Sequence, residues 1–282
     1  MVDCHTHSAF SPDAADTAEE MCRRAALLGL SAYALTDHCD CNLHLTAEEW
    51  ERENSREITV DREMYGAGEY ARESIKTVSA LKERYPFLIC GIELGQPMQE
   101  PQFAEEIRGM EQLDFIIGSQ HMNRGCDDFY WIKYNELDKN DIDRLLEDYF
   151  TQILEMCRAG GFDVLGHLTY PLRYIEGEYG ITVDMRRYDD IIEEIFKALV
   201  TGGRGIEINT SGLRQKYGKM LPDERYVRRF RELGGEILTL GSDAHKADDI
   251  GKGIAEGAEL ARECGFKYTA YFRRRRAEFL AL

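Results

Sequence analysis

Short apolar runs alternate with longer amphipathic segments from one end of the chain to the other. The runs are rich in Ile, Leu, Val, Tyr and Phe, a composition typical of β-strands buried on both faces. The pattern predicts seven strands, at residues 1–4, 32–36, 88–93, 115–119, 164–166, 205–209 and 236–241.

The segments between these runs carry apolar residues at helical spacing. Ile142, Leu145, Leu146 and Tyr149 fall at positions i, i+3, i+4 and i+7, which is one face of an α-helix. Several segments stop at glycine, which tolerates the left-handed conformation of a helix C-cap. The pattern predicts helices at residues 16–29, 67–84, 101–111, 139–159, 187–202, 223–233 and 248–264.

Alternation of strands and helices predicts an α/β fold with a parallel sheet, either closed into a barrel or open and doubly wound. Metal-binding side chains follow nearly every predicted strand. A closed barrel brings all strand ends around one point, whereas the outer strand ends of an open sheet lie too far apart to share a site. We therefore expect residues 1–282 to form a single barrel domain of about seven βα units.

Six of the seven histidines lie at or just past the end of a predicted strand, and Glu93 and Asp243 occupy equivalent positions. The six are His5, His7, His38, His121, His167 and His245. A lone histidine at a strand end is usually structural, but a whole set is hard to explain independently. Neutral imidazole and carboxylate are standard ligands of divalent metals, so the pattern predicts a metal site. The seventh histidine, His44, has polar neighbours and is expected at the surface.

Composition and net charge disfavour nucleic acid and anionic membranes as partners. The chain has 282 residues, 43% hydrophobic and 31% charged, as in soluble globular proteins. Its net charge of -17, from 35 basic and 52 acidic side chains, disfavours nucleic acid and anionic membranes. No signal peptide and no apolar stretch of about 18 residues is present. Eight scattered cysteines indicate reduced thiols and a cytoplasmic location, and the oligomeric state is left open.

Three of the segments that contain strand-end histidines resemble motifs of the polymerase-and-histidinol-phosphatase (PHP) superfamily. Asp3-Cys4-His5-Thr6-His7-Ser8 is similar to its first motif, Leu35-Thr36-Asp37-His38 to its second, and Gly241-Ser242-Asp243-Ala244-His245 to its last. The match runs over the whole chain in the right order. Within the superfamily, residues 207–214 and 241–251 are most similar to the histidinol-phosphate phosphatases.

The resemblance implies a distorted (β/α)7 TIM-like barrel, the PHP fold, holding two or three divalent metal ions. One metal would take His5, His7, Glu93 and Asp243. A second would take His121, His167 and a shared Glu93, and a third would take Asp13, His38 and His245. Many relatives have a histidine where this chain has Asp13, so the third site departs from the family pattern. The mixed N/O set would suit Zn, Mn or Fe.

The resemblance also implies hydrolysis of a small-molecule phosphate monoester, L-histidinol phosphate, in histidine biosynthesis. A metal lowers the pKa of bound water from ~15.7 towards ~7, so a metal-bound hydroxide can attack phosphorus without a covalent nucleophile. Asp243 and His245 are the candidate catalytic residues, and Asp243 or a metal-bound water would protonate the leaving oxygen. The alternatives are another ester (phosphotyrosine, a nucleotide or a sugar phosphate) and a non-catalytic metal-binding regulatory protein.

Other charged residues have candidate roles. Arginine matches phosphate oxygens well, and Arg214 and then Arg173 are the candidates for binding substrate phosphate, with a surface ion pair as the alternative for either. Asp3 and Asp37 lie beside ligand histidines and are expected either to orient an imidazole or to form a turn. The four arginines at 273–276 predict a solvated helix face or a tail.

Overall fold

The computed structural model describes residues 1–41 and 68–282. His44, predicted at the surface, and residue 67, where the second predicted helix begins, lie outside the described residues. The organisation of residues 1–282 as a single domain stays a prediction.

The main sheet of the described residues is parallel and follows chain order. Its strands are β1 Val2–Asp3, β2 Ala32–Leu35, β3 His38–Asp40, β4 Leu88–Gly95, β5 Phe115–Ser119, β6 Val164–Leu165, β7 Gly205–Asn209 and β8 Leu238–Gly241. The first and last strands meet, because the Cys4 amide donates to the Leu240 carbonyl (2.8 Å) and the Asp243 amide donates to the His5 carbonyl (2.7 Å). These bonds close the sheet into a barrel, as predicted.

The second position of the barrel is split between two short strands. β2 pairs with the start of β4, with Tyr33 opposite Leu88, and β3 pairs with the later part of β4, with His38 opposite Glu93. The sequence predicted no strand at β3, because a three-residue run directly after a strand end has the pattern of a loop. The barrel therefore has the seven positions predicted, with a distortion at the second.

Within the described ranges, six helices connect these strands and a seventh follows β8. They are α1 Ala18–Leu27, α2 Gly68–Leu81, α3 Pro101–Arg108, α4 Lys139–Ala159, α5 Asp189–Thr201, α6 Glu224–Glu232 and α7 Ile254–Glu263. The bounds of α4 are those predicted, and its capping box joins Asp138 and Asp141. The predicted start of α7 at residue 248 was wrong, because residues 247–249 form a separate 3-10 turn.

An antiparallel hairpin of β9 Tyr268–Arg273 and β10 Arg276–Ala281 follows the last helix. The prediction of a helix face or tail at residues 273–276 was therefore wrong. Arg274 and Arg275 form the two-residue turn, with φ of 49° and 61°. Such values are usually adopted by Asn or Gly. Because neither residue is present, the turn could not be predicted from the sequence. The amides of Arg274 and Arg275 donate to the side chain and the carbonyl of Asp114, at 3.0 and 2.8 Å, which holds the turn.

The hairpin closes the amino-terminal end of the barrel. Ala270 and Phe272 are buried in one apolar cluster with barrel residues that include Ile89 and Phe115, and the rings of Phe115 and Phe272 stack at 5.0 Å. Ile89 lies on the same face of β4 as Glu93, because side chains alternate along a strand. The interior is thus apolar at this end, and its polar residues lie at the other.

No helix in the described ranges is long and apolar enough to cross a lipid bilayer.

Candidate metal centre

The structure brings all nine predicted ligand residues to the carboxyl-terminal end of the barrel strands. His5 and His7 follow β1, and main-chain bonds from this segment to the segment after β8 hold it extended. Their rings lie 5.0 Å apart, and both Nε2 atoms face the Glu93 Oε2 atom, at 3.3 and 3.6 Å. The spacing of two residues thus directs both imidazoles to one point.

Glu93 lies on β4 at the centre of the cluster. It is 1% exposed, and its Oε1 atom accepts a hydrogen bond from the Ser119 hydroxyl at 2.7 Å. The same Oε1 atom lies 3.2 Å from His121 Nε2 and 2.8 Å from His167 Nε2. One oxygen of Glu93 therefore faces His5 and His7, and the other faces His121 and His167.

A third group lies at the outer rim. The Asp13 carboxylate lies 3.6 Å from His38 Nε2 and 3.1 Å from His245 Nε2, and its side chain is 51% exposed. The other ring nitrogen of His38, Nδ1, lies 2.9 Å from Glu93 Oε2. His38 therefore connects the rim to the centre.

Asp243 lies between the groups. Its Oδ1 atom is 3.8 Å from His5 Nε2, 3.3 Å from His7 Nε2 and 3.6 Å from His245 Nδ1. Its φ of 53° is in the left-handed region, which Asp adopts more readily than most residues. Residues in sparsely populated conformations cluster at functional sites, which agrees with the position of Asp243 here.

Two carboxylates that the sequence analysis did not single out contact ligand rings. Glu207 Oε1 lies 2.7 Å from His5 Nδ1, and Asp40 Oδ1 lies 2.9 Å from His121 Nδ1. The signal for Glu207 was a charged residue inside the apolar run of β7. The signal for Asp40 was its position two residues after His38, the spacing that His5 and His7 also show.

Asp3 and Asp37 have different roles. Asp3 accepts hydrogen bonds from the amides of Ser242 and Gly251, both at 2.9 Å, so it holds turns. Asp37 accepts from the Ser11 hydroxyl at 2.9 Å, and Ser11 Oγ lies 3.1 Å from His7 Nδ1. Asp37 therefore acts on a ligand ring through one intervening hydroxyl.

The side chains of the cluster set each other's charge. Burial opposes ionisation of Glu93, but His5 and His121 hold the pKa of its carboxyl well below the ordinary value. Burial also opposes the charge on His121, but Glu93 and Asp40 raise the pKa of its ring to about 10. His7 differs, because burial and then the neighbouring His38 lower its pKa to about 3. The His7 ring is therefore neutral at neutral pH.

Besides His167 Nδ1, four buried atoms of the cluster, which face one another, lack a hydrogen-bond partner. They are His5 Nε2, His7 Nε2, His38 Nδ1 and Glu93 Oε2. Buried polar atoms are nearly always paired, yet here each ring nitrogen lies 2.9–3.6 Å from the same carboxylate oxygen. A cation there would use the lone pairs of His5, His7 and Glu93, while His38 Nδ1 faces the same carboxylate oxygen from the rim group. The mixed imidazole and carboxylate donor set therefore fits a divalent metal.

Two arginines border the centre. Arg173 Nη2 lies 3.3 Å from Asp243 Oδ2, and its buried Nε atom has no hydrogen-bond partner. Arg214 Nη2 donates to the Ser242 carbonyl at 2.7 Å. Both arginines therefore contact Asp243, Arg173 through the carboxylate and Arg214 through the main-chain carbonyl at 3.4 Å, and Arg214 Nη1 is likewise a buried atom without a hydrogen-bond partner. Which of the two binds phosphate stays a prediction.

An open cavity of about 760 Å³ leads away from Arg173. Half of its lining residues are aromatic (Tyr130, Trp131, Tyr174 and Tyr179), and Lys133 and Gln215 add polar groups. Glu178 adds a carboxylate. A cavity of this kind beside the centre offers room for the organic part of a substrate.

A closed barrel with histidines and carboxylates gathered at the carboxyl-terminal rim is the architecture of a barrel metalloenzyme. Residues 3–211 match the PHP domain family, and the chain belongs to that family. The resemblance noted in the sequence is confirmed.

Proteins named "Probable histidinol-phosphatase" are similar over nearly the whole chain. The protein from Thermotoga maritima is 28% identical, covering 96% of this chain and 95% of its own. The protein from Clostridium acetobutylicum is 27% identical, covering 97% of both. A crystal structure of histidinol phosphate phosphatase from Lactococcus lactis, complexed with zinc, L-histidinol and phosphate, has a TM-score of 0.74 at 22% identity and covers 98% of both chains. That structure has the same fold.

Proposed function

We propose that this chain is a metal-dependent phosphatase that hydrolyses L-histidinol phosphate to L-histidinol and phosphate. The observation that carries the proposal is the convergence of His5, His7, His121 and His167 on the two oxygens of one buried carboxylate, Glu93. The names of the relatives from Thermotoga maritima and Clostridium acetobutylicum support the choice of substrate.

Nine residues would hold two or three divalent metals. His5, His7, Glu93 and Asp243 would hold the first, and Glu93, His121 and His167 the second. Asp13, His38 and His245 would hold the third. Zinc is supported by the complex of the Lactococcus lactis enzyme, and manganese and iron suit the same donors. When bound, such ions lower the pKa of water and neutralise phosphoryl oxygens.

The protein's own residues would position the ester. Arg173 lies beside Asp243 with an unpaired Nε atom, so its planar guanidinium is placed to bind a phosphate oxygen. Arg214, which contacts the main-chain carbonyls of Ser242 and Asp243, would support binding of the same phosphate group. Asp243 and His245 lie 3.6 Å apart beside the proposed metals, where they would hold or transfer the proton that the leaving oxygen needs.

The cavity lined by aromatic rings would receive the organic part of the substrate. Tyr130 and Tyr174 offer faces for an imidazole. Glu178, which pairs with Lys216 Nζ at 2.5 Å, would have to exchange that partner to receive the substrate amine. We expect the enzyme to act in the cytoplasm, since all eight cysteines are free thiols.

A second candidate is hydrolysis of another phosphate ester. It is favoured by similarity to a protein named "Probable phosphatase" from Photobacterium profundum, 26% identical over 99% of this chain.

Phosphate release from histidinol phosphate, phosphotyrosine, nucleoside monophosphates and sugar phosphates by metal-loaded enzyme separates the two candidates. We expect the highest kcat/KM for histidinol phosphate. Equal and slow rates on all esters would reject that substrate.

A further inference from the structure

Two carboxylates outside the nine proposed ligands, the buried Glu207 and the half-buried Asp40, contact the nitrogens of two ligand rings that point away from Glu93. Glu207 lies 2.7 Å from His5 Nδ1, and Asp40 lies 2.9 Å from His121 Nδ1. The opposite nitrogen of each ring, Nε2, faces Glu93, at 3.3 Å for His5 and 3.2 Å for His121. Each imidazole is therefore held between Glu93 and a second carboxylate.

Glu207 joins three barrel strands. It is 1% exposed on β7, and its Oε2 atom accepts hydrogen bonds from the His167 amide at 2.9 Å and from Asn209 Nδ2 at 3.3 Å. Its other oxygen is then free to accept the Nδ1–H of His5. A ring that donates through Nδ1 keeps its lone pair on Nε2, on the side that faces Glu93.

A glycine makes room for each of these carboxylates. A Cβ atom at Gly241 would lie 2.1 Å from Glu207 Oε1, and a Cβ atom at Gly95 would lie 2.0 Å from Asp40 Oδ1. Close approach of the side chain, not backbone conformation, therefore accounts for glycine at both positions. The same arrangement of glycine, carboxylate and imidazole occurs on two sides of the centre.

We propose that Glu207 and Asp40 are positioning residues of the metal centre, fixing His5 and His121 in the tautomer that directs Nε2 to the metals. The inference rests on the proposed metal-dependent function. Hydrogen bonds from ligand imidazoles to carboxylates orient the ring and increase its basicity, and their loss lowers metal affinity about 10- to 100-fold. Glu207 and Asp40 would thus act through the histidines that they contact.

The test compares Glu207→Gln and Asp40→Asn with Asp163→Asn. Asp163 is also a buried carboxylate, but it accepts from the Ile116 amide and from Arg275 at the opposite end of the barrel. We would measure the metal retained against a competing chelator, and the visible absorption spectrum of the cobalt-loaded protein.

We expect Glu207→Gln and Asp40→Asn each to lower metal affinity about 10- to 100-fold and to change the cobalt spectrum. Asp163→Asn should leave the affinity and the spectrum unchanged, even if it lowers the melting temperature. The melting temperature in chelator reports the structural contribution of each side chain separately.

The proposal is overturned if Glu207→Gln and Asp40→Asn retain metal like the wild type, with an unchanged cobalt spectrum. If Glu207→Gln does not fold, Asp40→Asn tests the same relation at the more accessible ring. A wild-type protein that retains no metal would overturn the proposed function, and this inference with it. Unchanged affinity in the variants of a metal-binding wild type would overturn this inference alone.

Discussion

Glu93 is the single side chain on which the centre depends most. Its Oε1 atom faces His121, His167 and the hydroxyl of Ser119, while its Oε2 atom faces His5. Because the carboxylate is buried among rings, its charge also sets their protonation. Removing that charge therefore affects every group of proposed ligands at once.

Glu93→Gln is expected to abolish most turnover while leaving the shape of the side chain nearly unchanged. Loss of a residue that only supports a ligand costs about 10- to 100-fold, so loss of a shared ligand should lower kcat/KM by more than about 100-fold. Phosphate release and metal content are the measurements. The control is Glu105→Gln, a carboxylate 78% exposed on α3. Full activity of Glu93→Gln at normal metal content would show that Glu93 is not a ligand.

The protonation of His121 makes the stability of the metal-free protein depend on pH. Burial opposes the charge, but Glu93 and Asp40 raise the pKa of the ring from 6.5 to about 10. Because the folded-state pKa lies above the unfolded one, the protonated ring stabilises the fold fully below pH 6.5. This stabilisation is lost as the pH rises through about 10.

We expect the melting temperature of the chelator-treated protein to fall between pH 6.5 and about 10, and to fall less in the metal-loaded protein. A metal would replace the proton on the His121 ring, so the metal-loaded protein should lose less stability over this pH range. Thermal unfolding at several pH values, with and without zinc, measures the difference. Parallel curves for the two forms would argue against a proton and a metal competing for His121.

Arg173 is expected to contribute more to catalysis than Arg214. Arg173→Ala should lower kcat/KM about 100-fold, the size of effect seen when one donor to a developing anion is removed. Lysine should not restore the rate, because its point charge lacks the planar fork. Steady-state kinetics on histidinol phosphate provide the test, with the exposed Arg124→Ala as control. A larger loss in Arg214→Ala than in Arg173→Ala would reverse the assignment.

At the residue scale, the sequence predicted where metal-binding side chains gather but not what holds them. Histidines after predicted strands, with Glu93 and Asp243, were visible because the pattern of runs places all strand ends together. The contacts of Glu207 with His5 and of Asp40 with His121 join residues 202 and 81 positions apart. Only the registers of neighbouring strands bring such pairs together, so the pattern along the chain could not show them.

At the scale of elements, the seven barrel positions and their helices were predictable because their apolar periodicity is local. The hairpin of β9 and β10 was not. Its turn consists of Arg274 and Arg275, and the stabilising contacts come from Asp114 and Asp163, far away in the sequence. A run of four arginines has the pattern of a solvated segment unless those acceptors are known.

The hairpin should contribute to stability through Phe272, which is 4% exposed and stacks on Phe115. Phe272→Ala is expected to lower the free energy of unfolding by about 3–5 kcal/mol, because it leaves a cavity at the end of the barrel. Phe279, on the same hairpin, is 50% exposed. Phe279→Ala should therefore change the free energy of unfolding by less than about 1 kcal/mol.

Urea unfolding of the two alanine variants beside the wild type measures both changes. Equal losses of unfolding free energy in the two variants would mean that Phe272 does not pack against the end of the barrel.

At the scale of the whole molecule, the centre exists only when the barrel is closed. His5 and Asp243 lie near opposite ends of the chain, and they meet because the segment after β1 bonds to the segment after β8. Folding therefore assembles the proposed site, and a metal bound there should in turn stabilise the closed barrel. The proposed function depends on this link between barrel closure and metal binding.

The most direct test of the account is a metal titration of the chelator-treated protein, with phosphate release from L-histidinol phosphate measured at each added equivalent. We predict negligible turnover without metal, and a rise that saturates at two or three equivalents per chain of zinc, manganese or iron. Turnover that is unchanged by metal removal, or a protein that binds no divalent metal, would contradict the account.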